Sequence, residues 1–387
     1  MQRREFLVQS GRTAIGFSLL PLVGCVAGKI QPRSTASPLE TLIAHLEKQI
    51  PMWMEESKVP GLSIAVIKNA QVAWRRGFGV KDSASKEPVD TDTMFEAASM
   101  SKPVFAYVVM KLCEKGVLNL DTPLTKYTSE SFLENDTRLD LITSRHVLSH
   151  TSGFQDWRSE KEPLSIHFTP GEKWLYSGEG YYYLQSVVTH LTGHVNPKDC
   201  ARYEAGLEVC ATDIDAYIKA NLFVPFGMNS SGYVWNDTFA RRMARPHDPT
   251  GKPTDNKKSS PASVARYGST GALLTTPTDY AKFLIEVIDP RPSDAFRLKR
   301  ESLKEMLRPH VKLEGRYPSS WALGWQIFHN PGRDFIYHGG DNEGFHCGAL
   351  ASVEGRCGYV VMTNGENGPE VLRRLVTHDL MQRFLAS

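Results

Sequence analysis

The 387-residue sequence has almost no excess of either charge, because 45 Lys and Arg residues are offset by 43 Asp and Glu residues. This balance gives no electrostatic reason to expect a nucleic-acid partner. Ligand pairs of the type His-x-x-His or Cys-x-x-Cys are also missing, so the sequence implies no metal and no cofactor. The remaining composition, 41% hydrophobic and 23% charged, is that of a globular protein with enough length for a large core.

The sequence also lacks an apolar run long enough to span a membrane. The apolar stretch 14–24 follows an arginine pair and suits the core of a signal peptide. It resembles a twin-arginine export signal, and the Leu-Val-Gly-Cys sequence that ends at Cys25 resembles the site where bacterial lipoproteins are cleaved and lipidated. We therefore expect a signal peptide over 1–24, a tether over 25–37 and a periplasmic or cell-surface lipoprotein with a lipid anchor; a plain N-terminal helix is the alternative.

Cysteine is scarce, and the five residues after Cys25 have separations that fit no zinc site. Cys113 belongs to an apolar helix, where a buried free thiol is expected. Cys200 and Cys210 bracket a short segment that a disulfide would close in an oxidising compartment. A twin-arginine substrate, however, folds before export, in a compartment where thiols stay reduced. The sequence therefore leaves open whether Cys200 and Cys210 form a disulfide or remain reduced.

Both ends of the mature chain combine a helical pattern with strand patterns, and no linker or repeat interrupts the interior. The expected helices are 38–56 and 369–385, and the expected strands are 61–67, 71–80, 321–329, 335–338, 345–352 and 358–363. This predicts an α+β fold over 38–387, with one antiparallel sheet covered by both terminal helices. The sheet lobe takes 38–98 and 262–387, and a mainly helical lobe, 99–261, is inserted between them.

The sequence Thr-Pro-Thr-Asp at 276–279 predicts the start of one further helix. Thr276 is expected to be the N-cap, with proline at the first helical position. Asp279 is expected to complete a capping box with Thr276.

Ser99 and Lys102 form a Ser-x-x-Lys motif where a helix is expected to begin. Pro103 is tolerated only near a helix start and Gly116 suits the position after its end, so Ser99 and Lys102 share one face of the first turn. A buried neutral lysine can take the serine proton, and the helix N-terminus favours a developing oxyanion. The motif alone is weak, since the charged stretch 83–86 also matches it, and a surface pair is the alternative.

Three later segments are uninformative one by one, but their order along the chain indicates a family. They are His-Thr-Ser-Gly at 150–153, a Pro-Gly-Glu approach to Tyr176 and Ser177, and His-Gly-Gly at 338–340. Together with Ser-x-x-Lys they resemble the serine hydrolases of the β-lactamase and penicillin-binding-protein fold, close to class C β-lactamases and their esterase and D-peptidase relatives. The resemblance covers nearly the whole mature chain.

The resemblance implies a role for each of three side chains. Ser99 would be the nucleophile that forms an acyl-enzyme, and Lys102 and Tyr176 would share the proton transfers. Which of the two is the base stays open, because such a pair titrates as a coupled unit. The alternative for Tyr176 is a core tyrosine whose hydroxyl is satisfied locally.

His338 stands where the family's Lys-Thr-Gly motif has lysine. The resemblance implies that it binds a substrate carboxylate or polarises the tyrosine, and a strand-end histidine with a local partner is the alternative. Gly339 and Gly340 would let the substrate backbone approach the strand. The oxyanion hole would be formed by the backbone amides of Ser99 and Asp341.

Two departures from the family pattern affect the expected activity. The second motif is often Tyr-x-Asn, but Gly178 stands here and has no side chain to contact substrate. With His338 in place of lysine as well, groups that hold a β-lactam are missing. Trp157 is expected to wall the acyl pocket, whereas Trp174 is expected to pack in the core.

We therefore expect a serine hydrolase that cleaves a small ester, amide or peptide, similar to a carboxylesterase or D-peptidase and at most a weak β-lactamase. A penicillin-recognising binder or sensor that acylates at Ser99 without turnover is the alternative of a different class. A catalytically silent scaffold with the same fold is the third.

Overall fold

The computed structural model describes residues 37–128, 131–192, 200–202, 208–255, 261–315 and 317–387. The predicted signal peptide, the lipidation site Cys25 and residues 25–36 of the predicted tether lie outside these residues. The strands are β1 (Gly61–Lys68), β2 (Gln71–Gly79), β3 (Phe95–Glu96), β4 (Cys200–Arg202), β5 (Glu208–Cys210), β6 (Leu274–Thr275), β7 (Val311–Leu313), β8 (Ser319–Trp321), β9 (Gln326–Asn330), β10 (Arg333–Asn342), β11 (Phe345–Ser352) and β12 (Cys357–Thr363).

The α-helices occupy both termini and the middle of the chain. They are α1 (Pro38–Ser57), α2 (Ser101–Glu114), α3 (Ser144–Leu148), α4 (Gly178–Thr192), α5 (Ala211–Ile218), α6 (Val224–Phe226), α7 (Asp237–Arg242), α8 (Pro261–Gly271), α9 (Pro277–Ile288), α10 (Arg300–Leu307), α11 (Gly368–Thr377) and α12 (Asp379–Ala386). In the part of the chain that the structure describes, none of them is long and apolar enough to cross a bilayer.

Among the described residues, the central sheet has eight strands in the order β2-β1-β12-β11-β10-β9-β8-β7. Every neighbouring pair is antiparallel. Strands from the two ends of the chain meet at its centre, where Leu62 of β1 is in register with Thr363 of β12. The β1–β2 hairpin turns at Asn69 and Ala70, which both have positive φ. The antiparallel sheet and its hairpin confirm the strand patterns at both ends of the sequence.

The terminal helices cover one face of this sheet. The α1 helix begins with a capping box, because Ser37 accepts from the Glu40 amide while the Glu40 carboxylate accepts from the Ser37 amide. Its buried residues Leu42, Leu46 and Ile50 join one apolar core with residues of α11, α12 and the sheet. A second core lies on the other face, against α2 and α9. The expected α+β architecture is therefore confirmed.

Two elements are interrupted where a continuous one was expected. The run 321–329 splits into β8 and β9 because Gly324 takes a left-handed φ of 81°, and Ala322 donates to the Trp325 carbonyl across the turn. The C-terminal helix breaks at His378, whose backbone is extended. The His378 ring accepts from the Leu380 amide and so caps the second helix.

Thr276 caps α9 as expected, accepting from the Asp279 amide at 3.1 Å. The predicted capping box, however, is wrong. The Asp279 carboxylate instead accepts from the Ser230 amide at 2.7 Å and pairs with Lys282 at 2.7 Å. One partner from outside the helix and one from its next turn therefore draw this carboxylate away from the helix end.

The inserted helical part packs around α2, and α8 contacts α2, α4 and α5. Cys113 on α2 is a half-buried free thiol. In the short β4–β5 ribbon, Cys200 is directly in register with Cys210. Their side chains lie outside the described part, so the disulfide between them stays a prediction.

Candidate active site

Ser99 lies in a 3-10 turn, Ala98–Met100, that leads directly into α2. The residue before it, Ala98, is fully buried and has a φ of 47°, a left-handed conformation that a non-glycine residue rarely adopts. The Ser101 hydroxyl holds this turn, because it donates to the Ala98 carbonyl at 2.6 Å and accepts from the Leu273 amide at 3.1 Å. Such locally strained backbone persists only where the surrounding structure supports it, and it is common at functional sites.

Lys102 is only 2% exposed, and its ammonium group points at the serine. Its Nζ lies 3.3 Å from Ser99 Oγ and donates to the Thr270 carbonyl at 2.8 Å. Burial lowers the pKa of Lys102 to about 8, and the nearby Asp156 carboxylate opposes part of that change. Lys102 therefore loses its proton at a lower pH than a free lysine, which favours a role as base.

Tyr176 lies beside the same serine and lysine. Burial raises the pKa of its hydroxyl well above the usual value, and the nearby Ser99 side chain opposes part of that change. The Tyr176 ring also lies under the Lys102 ammonium, at 4.9 Å from its centroid. The structure thus brings together the three residues that the sequence singled out, and it keeps the tyrosine protonated.

His338 is 4% exposed and neutral. Its Nδ1 lies 2.7 Å from the Gly339 carbonyl, which can only accept, so Nδ1 carries the proton and Nε2 is an acceptor. Burial lowers the pKa of His338 to about 3, and the Lys102 charge acts in the same direction. Within the described residues Nε2 has no hydrogen-bond partner. This ring therefore offers a lone pair to a ligand and no positive charge.

His150 is a site residue to which the sequence reasoning gave no role. Its Nδ1 accepts from the Ser177 amide at 3.0 Å, so the proton is on Nε2. The fully buried ring lies 4.2 Å from the Tyr176 ring and also contacts Trp321 and Trp174. The signal was present in the His-Thr-Ser-Gly motif, but only the fold shows that this histidine supports the tyrosine.

The second half of β10 has an unpaired strand edge and lies beside the 3-10 turn Ala98–Met100, which we call the serine turn. In the described structure β9 pairs with β10 only as far as Tyr337, whereas β11 continues to Asn342. The segment from His338 to Asn342, with the Asp341 amide, is thus not paired with β9. Free backbone groups at such an edge can bind an extended substrate or an oxyanion.

Both glycines of the His-Gly-Gly motif lie in close contact with other groups of the protein, and at Gly340 the nearest group is backbone. A Cβ on Gly340 would lie 2.2 Å from the Ala97 carbonyl oxygen, and one on Gly339 would lie 2.6 Å from the Tyr337 hydroxyl. The sequence suggested substrate approach as the reason for these glycines. The structure shows a second reason, which is the close packing of β10 against the serine turn.

Trp157 fills the space beside Gly178. A Cβ on Gly178 would lie 2.3 Å from the Trp157 ring, so the indole occupies the region into which the family's asparagine would project. Trp157 also meets Tyr267 edge to face at 5.1 Å, which makes an aromatic wall. Asp156, another residue that the sequence reasoning missed, accepts from the Gly178 amide at 2.9 Å, and burial raises its pKa.

The second Ser-x-x-Lys match has a structural role elsewhere in the chain. The Ser83 hydroxyl donates to the Gly251 carbonyl at 3.1 Å, and its amide donates to His247 at 3.0 Å. Lys86 is exposed and has a φ of 61°, as in a turn. Burial therefore separates the two matches: only Lys102 is desolvated.

Comparisons with known proteins are consistent with this geometry. A sequence profile of the Beta-lactamase family matches residues 40–380. A penicillin-binding protein from Bacillus subtilis is 26% identical over 208 residues, which are 48% of this chain and 41% of that protein. Esterase EstB from Burkholderia gladioli is 27% identical over 240 residues, which are 54% of this chain and 56% of that protein. The chain thus spans about half the length of these curated relatives.

A solved structure titled D-alanine carboxypeptidase AmpC, from Burkholderia cenocepacia, superposes with a TM-score of 0.71. The superposition covers 90% of this chain and 99% of that chain at 17% identity. At that identity the likeness shows the fold alone. The β-lactamase-like fold expected from the sequence is confirmed.

Proposed function

Because the chain belongs to the Beta-lactamase family, whose members are mostly serine hydrolases, we propose that it cleaves an ester or amide through an acyl-enzyme on Ser99. The observation that carries this proposal is the contact of a buried lysine with the serine, with Tyr176 beside that lysine. Ser99 Oγ accepts from the buried Lys102 ammonium at 3.3 Å, and the same ammonium lies 4.9 Å from the centroid of the Tyr176 ring. A nucleophile, a base and a proton donor are then in place together.

In the acylation step, neutral Lys102 takes the proton of Ser99 as Oγ bonds to the substrate carbonyl carbon. The carbonyl oxygen becomes an oxyanion that the backbone amides of Ser99 and Asp341 stabilise. Tyr176, protonated at rest because its pKa is raised, gives its proton to the leaving group as the bond to that group breaks, and it takes the proton that Lys102 received from Ser99 in return. Water then attacks the acyl carbon, and the same groups return Ser99 to its free form.

The surroundings of the serine support an uncharged acyl substrate. Neutral His338 offers a hydrogen-bond acceptor where a cation would be needed to attract a carboxylate. Trp157 fills the space beside Gly178 with an apolar ring, so an amide side chain is missing there. Both features favour small esters over β-lactams, which carry a carboxylate. The relative named an esterase agrees with this preference.

The test uses the fragment 26–387 with a short-chain p-nitrophenyl ester and a chromogenic cephalosporin in parallel. We expect ester turnover with little cephalosporin cleavage. The Ser99→Ala variant should lower ester turnover by about 10³-fold or more, since it removes the nucleophile. The matched control Ser83→Ala should leave turnover unchanged, and comparable losses in both variants would refute the choice of serine.

Two other outcomes lead to different functions. A stable adduct on Ser99 without release of product would make the protein a binder or sensor. Efficient cephalosporin turnover would make it a β-lactamase and would show that Gly178 and His338 do not exclude that substrate.

The pH dependence of ester hydrolysis tests the assignment of the base. Lys102 must lose its proton to act, and its pKa lies at about 8. We therefore expect kcat/KM to fall about tenfold for each pH unit below about 8 and to level off between about pH 8 and about pH 9. A profile that stays flat from about pH 6 to about pH 9 contradicts Lys102 as the base.

A further inference from the structure

His346 is a buried histidine that the proposed reaction does not use. It lies on β11, directly opposite Asp341 of β10, and is 0% exposed. Its Nδ1 is 2.6 Å from the Asp341 carboxylate, and its Nε2 is 3.9 Å from the Glu366 carboxylate. The imidazole is therefore held between two carboxylates that belong to different parts of the sheet lobe.

The charges around His346 come from these two groups. Asp341 faces it from β10 and Glu366 from the loop that follows β12, whereas Thr363 of β12 and Gly368 of α11 are its neutral neighbours. Burial alone lowers the pKa of His346, but the two carboxylates outweigh it and raise this pKa to about 9. At neutral pH the ring is an imidazolium that neutralises part of the charge of both acids.

The same cluster fixes the end of the β10–β11 hairpin. Glu366 also accepts from the Gly344 amide, at 2.7 Å, in the turn between the two strands. Asn342 donates to the Glu96 carboxylate at 2.6 Å, just before the serine turn. Since this half of β10 is not paired with β9, these side-chain contacts replace a missing strand neighbour.

We propose that His346 is a positioning residue that clamps Asp341 and thereby keeps the Asp341 backbone amide aimed at the oxyanion, a role that presupposes the acyl-enzyme proposed above. The side chain of Asp341 is bound on the far side of the strand by the clamp. Its amide is then fixed by a contact that does not touch substrate. A donor that is fixed before reaction needs no reorganisation in the transition state.

Kinetics of three variants test this role. We expect His346→Ala to lower kcat about 10- to 100-fold with little change in KM, because the oxyanion exists only in the transition state. His346→Asn should recover much of this loss, since its amide can still donate to Asp341. The matched control is His329→Asn: His329 pairs with Asp334 at the other end of β10, and its loss should leave kcat unchanged.

A pH profile separates the clamp from a purely structural role. We expect kcat to fall above about pH 9, where His346 loses its proton. Glu366→Gln removes one of the two carboxylates, so this alkaline limb should move toward neutral pH while KM stays constant. An alkaline limb that is identical in wild type and Glu366→Gln contradicts the proposal.

Amide hydrogen exchange tests the clamp without any substrate. Peptides that cover 338–346 should exchange faster in His346→Ala than in wild type or His329→Asn. Unchanged exchange in this segment overturns the positioning role, whatever the activity. An inactive wild-type enzyme with a protected 338–346 segment would instead refute the proposed hydrolase and leave the clamp standing.

Discussion

Lys102→Met is expected to make the protein more stable and to abolish its hydrolytic activity. Folding places the Lys102 charge in a site that is 2% exposed and lowers its pKa from 10.5 to about 8. Below about pH 8 the lysine is charged in both the folded and the unfolded state, so the full cost of burying the charge lowers the stability. Above about pH 10.5 the lysine is neutral in both states, and this cost disappears. Methionine fills a similar volume without charge, so at pH 7 we expect the free energy of unfolding to rise by about 1 to 3 kcal/mol.

The same substitution removes the proposed base. Ester turnover should fall by about 10³-fold or more, as when a member of a catalytic unit is lost. The control is Lys111→Met on the same helix, because Lys111 already has an acidic partner, Glu114, at 2.8 Å and two carbonyl acceptors. That variant should be destabilised and remain active.

Urea unfolding and the ester assay on the same preparations measure both effects. If Lys102→Met is instead destabilised, the burial of its charge is compensated by its contact with the Thr270 carbonyl and by the Asp156 carboxylate. An active Lys102→Met variant would reject Lys102 as the base outright.

Much of the fold could be predicted because it follows from the local spacing of apolar residues along the sequence. The apolar spacing of Leu42, Leu46 and Ile50 in α1 and the strand runs at both ends specify which faces are buried. The breaks at Gly324 and His378 could not be predicted. Each depends on a turn or cap contact that appears only when the neighbouring elements are in place.

The candidate site also has residues that could be predicted from the sequence and residues that could not. That Ser99, Lys102 and Tyr176 lie together could be predicted, because the proposed chemistry requires fixed residue types in a fixed order. Asp156 and His346 could not, since an acid and a histidine are common in any sequence. Only tertiary packing gives each its partner, the Gly178 amide for one and the Asp341 carboxylate for the other. The motifs thus supplied the proposed reacting groups, and the fold supplies the residues that contact them.

Gly340→Ala is the second substitution for which we expect a large effect. Its added Cβ would lie 2.2 Å from the Ala97 carbonyl oxygen and 2.8 Å from the Cys347 sulfur. The nearest obstacle is backbone, so β10 and the serine turn must move apart. We expect the free energy of unfolding to fall by about 1 to 3 kcal/mol, as for other overpacked sites. The two proposed oxyanion donors, the amides of Ser99 and Asp341, lie on either side of this contact.

A displacement of this size also affects catalysis, because a misplacement of about 1 Å in an active site lowers rates by about 100-fold. We therefore expect ester kcat to fall by about that factor in Gly340→Ala. Gly348→Ala is the matched control: it lies on the adjacent strand opposite Gly339, and its added Cβ would make only ordinary contacts from 3.6 Å outward. That variant should keep its activity and gain up to about 1 kcal/mol of stability, since alanine restricts the unfolded chain. Equal kinetics for the two variants would mean that the approach of β10 to the serine turn does not set the oxyanion geometry.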